Sequence, residues 1–164
     1  MGQIPHIRRA GALDCGPMAA LLNEIIRAGG TTAMTDPVTR AEISAWMTRS
    51  DRAIWHVAED DAGEILGFQY VEPHAELGGE VGSIATFARR GRTGLGIGSA
   101  LFEATAAAAR ATGYAWINAE IRADNGGGLA YYQSRGFEEY GRITGKRLGD
   151  GRVVDKVLKR YDLD

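Results

Sequence analysis

Arg89-Arg90-Gly91-Arg92-Thr93-Gly94-Leu95-Gly96-Ile97-Gly98, running directly into Ser99-Ala100-Leu101-Phe102, is the stretch on which the fold turns. Behind it, residues 99–112 carry Leu101, Phe102, Thr105, Ala108 and Ala109 at helical spacing, with strong helix formers between them. In front, residues 80–88 follow a Gly78-Gly79 break and read as extended chain. The unit is strand, glycine loop, helix. Glycines let backbone N–H groups approach a ligand, the helix start adds unpaired donors, and Arg89, Arg90 and Arg92 add charge, so the unit can hold an anion. A glycine-rich helix start with no ligand is the competing reading, and the surroundings must decide between them.

Outward toward the N-terminus, residues 53–58 and 65–71 flank the turn cluster at 59–63 and predict an antiparallel hairpin. Thr39 with Glu42 three residues on starts a short helix carrying Ile43, Trp46 and Met47 on one face. Met18, Leu21, Leu22, Ile25 and Ile26 predict a helix over 15–28, ended by Gly29-Gly30, with a short strand at 4–8 before it. Outward toward the C-terminus come a strand at 114–121 and a short helix opening at Asp124-Asn125 and running through 135. The tail, 138–160, reads as two strands around Gly149-Asp150-Gly151. The order β-α-α-β-β-β-α-β-α-β-β predicts one mixed α/β domain over residues 1–164.

Composition removes several function classes. Nineteen Lys and Arg against twenty-one Asp and Glu give a net charge of −2, a poor balance for a protein that neutralises nucleic-acid phosphates. No stretch approaches the ~18 apolar residues of a membrane span. The single cysteine, Cys15, makes no internal disulfide, and no Cys or His residues stand at zinc spacing, so no metal site is expected. Residues 1–10 lack the apolar core of a signal peptide, and the expected location is cytoplasmic. Twenty-three glycines in 164 residues, about 14%, are roughly double average usage.

Three phosphate-binding patterns can be laid on the loop. A Walker loop fails, because Gly91 and Gly96 are followed by Ile97-Gly98 rather than Lys with Ser or Thr. A dinucleotide fingerprint fails, because it meets Ser99 or Leu101 where its third glycine belongs. The third pattern is Gln or Arg, two residues, Gly, one residue, Gly or Ala; here Gly96 and Gly98 fill its last two places and Thr93 its first. With residues 94–102, Ala123-Asp124-Asn125 and the run from Ala130 to Phe137 in the same order and spacing, the chain resembles a GNAT N-acyltransferase over about residues 4–160. Residues 23–38 and the Arg-Ala-Asp-Asn segment are similar to its phosphinothricin-acetyltransferase-like branch, which acetylates small amines related to amino acids.

That resemblance implies a mainly antiparallel sheet of about seven strands flanked by four helices, with splayed central strands holding acetyl-CoA. It places the pantetheine amides along Phe87 and Ala88, and the pyrophosphate on Arg92, Thr93, Gly94, Leu95, Gly96, Ile97, Gly98 and Ser99. Asn125 matches the family's cofactor-contacting asparagine, and Tyr132, four residues before Gly136, matches its tyrosine acid. Transfer needs an unprotonated amine and a proton for the departing thiolate. Tyr131 lies ~100° around the helix, so the two rings are not expected to face the thiolate together. Many relatives carry a glutamate base where Ser83 stands, which leaves Glu120 and Glu80 as candidate bases. Glu80 lies an odd number of residues from Ser83 and would face away in a regular strand. Arg40 and Arg49 flank the second helix, and either could hold a substrate carboxylate. The expected activity is acetyl transfer to the primary amine of a small, amino-acid-like molecule in a ternary complex, by a homodimer in the family's manner. A non-catalytic acyl-CoA sensor and a protein or peptide N-acetyltransferase are the alternatives.

Overall fold

A computed structural model describes residues 5–89, 91 and 96–163. Seven strands form one sheet in the order β1-β2-β3-β4-β5-β7-β6, numbered along the chain. They are β1 His6–Arg9, β2 Ile54–Glu59, β3 Ile65–His74, β4 Gly78–Ala88, β5 Trp116–Arg122, β6 Glu138–Arg147 and β7 Val153–Asp162. Four α-helices accompany them: α1 Cys15–Ala28, α2 Arg40–Met47, α3 Ile97–Thr112 and α4 Gly126–Ser134. Only β4 and β5 pair in parallel; every other ladder is antiparallel.

Local chemistry sets the helix limits. α1 carries Pro17 in its first turn, where the missing N–H costs nothing, and ends at Gly29, whose N–H reaches the carbonyls of Ile25 and Ile26. α2 starts at the reciprocal Thr39–Glu42 capping box anticipated from sequence. α3 is closed by Gly113 at φ 99°. β3 runs three residues past the expected Val71, through Pro73. β2 ends opposite Val71, so beyond that point β3 has only β4 beside it and a residue without an N–H breaks no ladder.

The helices cover opposite faces of the sheet. Met18, Leu21, Leu22, Ile25 and Ile43 from α1 and α2 pack on Trp55, Phe68, Tyr70 and Phe87. Phe102, Ala106, Ala109 and Tyr132 from α3 and α4 pack on Ile84, Ile117, Ala119 and Ile121. Because side chains alternate along a strand, Asn118, Glu120 and Arg122 of β5 face the α1–α2 side. On β4 the same alternation turns Ser83, Ala85 and Phe87 toward α1 and α2, and Ile84 and Thr86 toward α3 and α4.

His56 on β2 is 6% exposed, and its Nδ1 has no hydrogen-bond partner. Burial, with the Arg9 charge adding to it, lowers its pKa from 6.5 to about 4. The folded protein therefore keeps the ring neutral while the unfolded chain takes up a proton below pH 6.5, so stability falls as pH drops from 6.5 to about 4. The full effect is on the order of 3 kcal/mol. Denaturant unfolding of His56→Gln should show a flatter stability profile across this window than the parent protein; an unchanged slope would assign the dependence to other groups.

Candidate active site

β4 and β5 pair only at Val81–Ser83 against Trp116–Asn118 and then part, although β4 continues to Ala88. The β5-facing backbone of residues 84–88 is thereby left without a neighbouring strand. A cleft of about 830 Å³ opens at this divergence. Ile84, Thr86, Phe87 and Ala88 line one wall, Glu120, Ile121 and Arg122 another, and residues 96–99 close one end. Residues 31–34, between α1 and α2, cover the α1–α2 side.

The glycine loop enters the cleft at Gly96, which caps α3 in the left-handed conformation at φ 70°. A β-carbon is strained there, so glycine is what lets the chain turn into α3 at the cleft, where the first N–H groups of the helix have no intrahelical partner. Gly98 is small for another reason. A β-carbon on it would stand 2.6 Å from the Tyr131 ring, and its carbonyl accepts the Tyr131 hydroxyl at 2.7 Å. Ile97 and Ser99 also line the cleft. Arg92, Thr93, Gly94 and Leu95 lie outside the described residues.

α4 brings two phenols to the same cleft. Their ring centroids are 4.9 Å apart and their planes are inclined at 60°. Different anchors hold them on the two flanks of the helix surface: Tyr132 shares a 2.7 Å hydrogen bond with Thr86, while Tyr131 donates to Gly98 and accepts from Gln69. Burial pushes the Tyr131 phenol up to about 12 and raises that of Tyr132 further, against the opposing Thr86 hydrogen bond. Both are therefore held as neutral donors. Asn125 lines the cleft while capping α4; its Oδ1 accepts from Gly128 and its Nδ2 donates to the Thr31 carbonyl.

The two candidate bases part company. Glu120 lines the cleft, with Oε1 3.4 Å from Lys156 Nζ and Oε2 3.6 Å from His74 Nε2. Glu80 is exposed near the start of β4, beyond the paired stretch and away from the cleft lining, because the divergence lies at the other end of that strand. Arg49 donates to Glu72 at 2.7 Å and sits over Trp46, so its charge is already matched. Burial raises the Cys15 thiol pKa, which leaves it a core side chain. The sequence points to His74, like His6 and His56, as a surface or strand residue rather than a base or ligand, and does not single out Lys156. Neither stands at a diagnostic spacing from Glu120, and the only signal for Lys156 was the phase of a tail strand whose neighbour was unknown.

The wedge between diverging strands is thus bordered by a left-handed glycine at a helix start and lined by a buried phenol and a carboxylate. The acetyltransferase (GNAT) family pattern matches residues 19–137, and the chain belongs to that family. Acetyl-CoA is its acetyl donor. The chain is 30% identical to an L-methionine sulfoximine/L-methionine sulfone acetyltransferase of Pseudomonas aeruginosa, over 96% of this chain and 94% of the relative. Among solved structures, a phosphinothricin acetyltransferase from Sinorhizobium meliloti in complex with acetyl-CoA superposes with a TM-score of 0.87 at 22% identity, covering 97% of this chain and 88% of that one. A ribosomal-protein-alanine N-acetyltransferase from Brucella melitensis also superposes at 0.87, with 23% identity and 96% and 99% covered.

Proposed function

We propose that this acetyltransferase acts on the α-amine of a small zwitterion, an amino acid or a close analogue, as the names of its sequence relatives suggest. The observation carrying this reading is the opposite-charge pair on the cleft wall, Glu120 with Lys156, 3.4 Å apart. A carboxylate beside an ammonium complements a molecule bearing an amine and a carboxylate on one carbon. Lys156 is largely shielded from solvent, at 14% side-chain exposure, while Glu120, at 33%, keeps an open side from which an acceptor can approach.

In this reading the N–H groups of residues 96–99 hold the cofactor pyrophosphate, and the unpaired edge of β4 at Phe87 and Ala88 holds the pantetheine amides. Asn125 supports the same wall. The cosubstrate supplies an acetyl thioester. Glu120 collects the proton the amine sheds as the C–N bond forms, and Tyr132 delivers a proton to the sulfur as the C–S bond breaks. Glu80 has no part, since it stands away from the cleft. We assign the protein to the cytoplasm; no helix among the described residues is long and apolar enough to cross a membrane. Self-association through the β6–β7 hairpin would cover Tyr140 and Val153, which are 42% and 57% exposed.

Calorimetric titration with acetyl-CoA, followed by thiol release against a panel of acceptors, tests the assignment. Release is expected with methionine sulfone, methionine sulfoximine or phosphinothricin and is expected to fall at least 10-fold when the acceptor carboxylate is amidated. Release with polyamines or alanine-ended peptides alone would overturn it, and tight cofactor binding with no release from any acceptor would favour a sensor.

A further inference from the structure

Lys156 is beside Glu120 for a simple reason. Glu120 pairs with Leu158 and Arg122 with Lys156, so Lys156 is the diagonal same-face neighbour on the adjacent strand. His74 is not a neighbour of that kind. It ends β3, and β4 lies between β3 and β5, yet its Nε2 stands 3.6 Å from Glu120 Oε2. The ring is largely enclosed, with the side chain 12% exposed.

The other ring nitrogen determines what His74 can do. Nδ1 accepts the backbone N–H of Glu76 and of Leu77, both at 3.0 Å, in the turn between β3 and β4. A nitrogen accepting two N–H groups carries no proton, which places the ring proton on Nε2, the atom facing Glu120. His74 is therefore a donor toward Glu120 and presents no free lone pair on that side with which to take a proton. At 3.6 Å this N–H lies just outside direct hydrogen-bond distance of the oxygen opposite the one that Lys156 reaches, so a small side-chain rotation brings it onto Glu120.

We propose that His74 is a positioning residue for acetyl transfer. Fixed in one tautomer by the β3–β4 turn, it holds the Glu120 carboxylate in the orientation that meets the acceptor amine. With Lys156 on one oxygen and the His74 N–H a small rotation from the other, the carboxylate is restrained from swinging, and a catalytic group displaced by about an ångström loses much of its effect. The inference rests on the reading of Glu120 as the proton-accepting group.

Two substitutions separate this role from a structural one, because each keeps a different half of the imidazole. His74→Asn retains an acceptor at the reach of Nδ1 for the turn and loses the donor to Glu120. His74→Gln retains a donor at the reach of Nε2 and loses the turn acceptor. Steady-state kinetics with the best acceptor of the panel should show kcat down ~10-fold in the Asn variant, with KM for acetyl-CoA unchanged, and kcat restored to within ~3-fold in the Gln variant despite a lower thermal midpoint. The reverse order, Asn active and Gln impaired, would assign His74 to the turn alone and overturn the proposal. Glu120→Gln is measured alongside. Wild-type turnover there would overturn the Glu120 reading and this inference together, whereas an impaired Glu120→Gln beside an unimpaired His74→Asn would overturn this inference only.

Discussion

Gly96→Val is expected to abolish acetyl-CoA binding, with an affinity loss of at least ~100-fold, while the fold is kept. Gly96 sits at φ 70°, where a β-branched residue is a genuine outlier costing on the order of 1–3 kcal/mol. Space is not the obstacle, since a β-carbon there meets nothing within 4 Å. The strain is relieved by rotating the chain out of the left-handed region, and that rotation swings the first N–H groups of α3 away from the cleft. α3 itself stays anchored by Leu101, Phe102 and Ala109, each at most 5% exposed. Calorimetry should therefore report no binding, while circular dichroism stays native. Undiminished affinity would remove the loop from the cofactor site. Gly98→Ala provides a contrast at normal backbone angles, acting by pressing on the Tyr131 ring.

Tyr132→Phe is expected to lower turnover ~100-fold or more with acetyl-CoA affinity nearly unchanged. The ring remains packed on Phe137, at 5.0 Å between centroids, so the aromatic wall survives and only the hydroxyl is lost. Burial keeps that hydroxyl protonated, as a proton donor to a thiolate must be, and Thr86 fixes its direction. Tyr131→Phe serves as the control. Its hydroxyl is committed to the Gly98 carbonyl and Gln69, so its loss should register in cofactor KM more than in kcat. A Tyr132→Phe enzyme with parental turnover would pass the proton-donor role to water or to Tyr131.

Much of this architecture is written in short-range chemistry. Pro17 with Gly29, the Thr39–Glu42 box and Gly113 delimit three helices, because cap and turn residues act on their own few neighbours. The strands flanking residues 59–63 follow from the same kind of signal. Locally legible, too, is the cofactor end of the site: strand, glycines and helix are contiguous, so Phe87, Gly96 and Gly98 reach the cleft together. Strand ends were less legible. Pro73 stays in β3 only because β2 has already stopped, a condition set by a neighbour.

What only the tertiary structure decided is the acceptor half. Glu80 and Glu120 are both glutamates on strands bordering the divergence, and local sequence separates them only by the alternation that turns Glu80 away from the face of Ser83. The sheet ranks them, because β4 and β5 pair at one end and part at the other, leaving Glu80 outside and Glu120 within. The tail inserts β7 between β5 and β6, a choice of partner that local sequence does not encode, and this sets Lys156 beside Glu120. His74 arrives across an intervening strand, and both phenols of α4 face one cleft because each hydroxyl finds its anchor on a different element. The sequence by itself determined the elements, the fold family and the glycine-rich start of α3, since each depends on residues adjacent in the chain. The cluster of Glu120, Lys156 and His74 depends on strand order and register, which are fixed only when distant segments bury their apolar faces against one another.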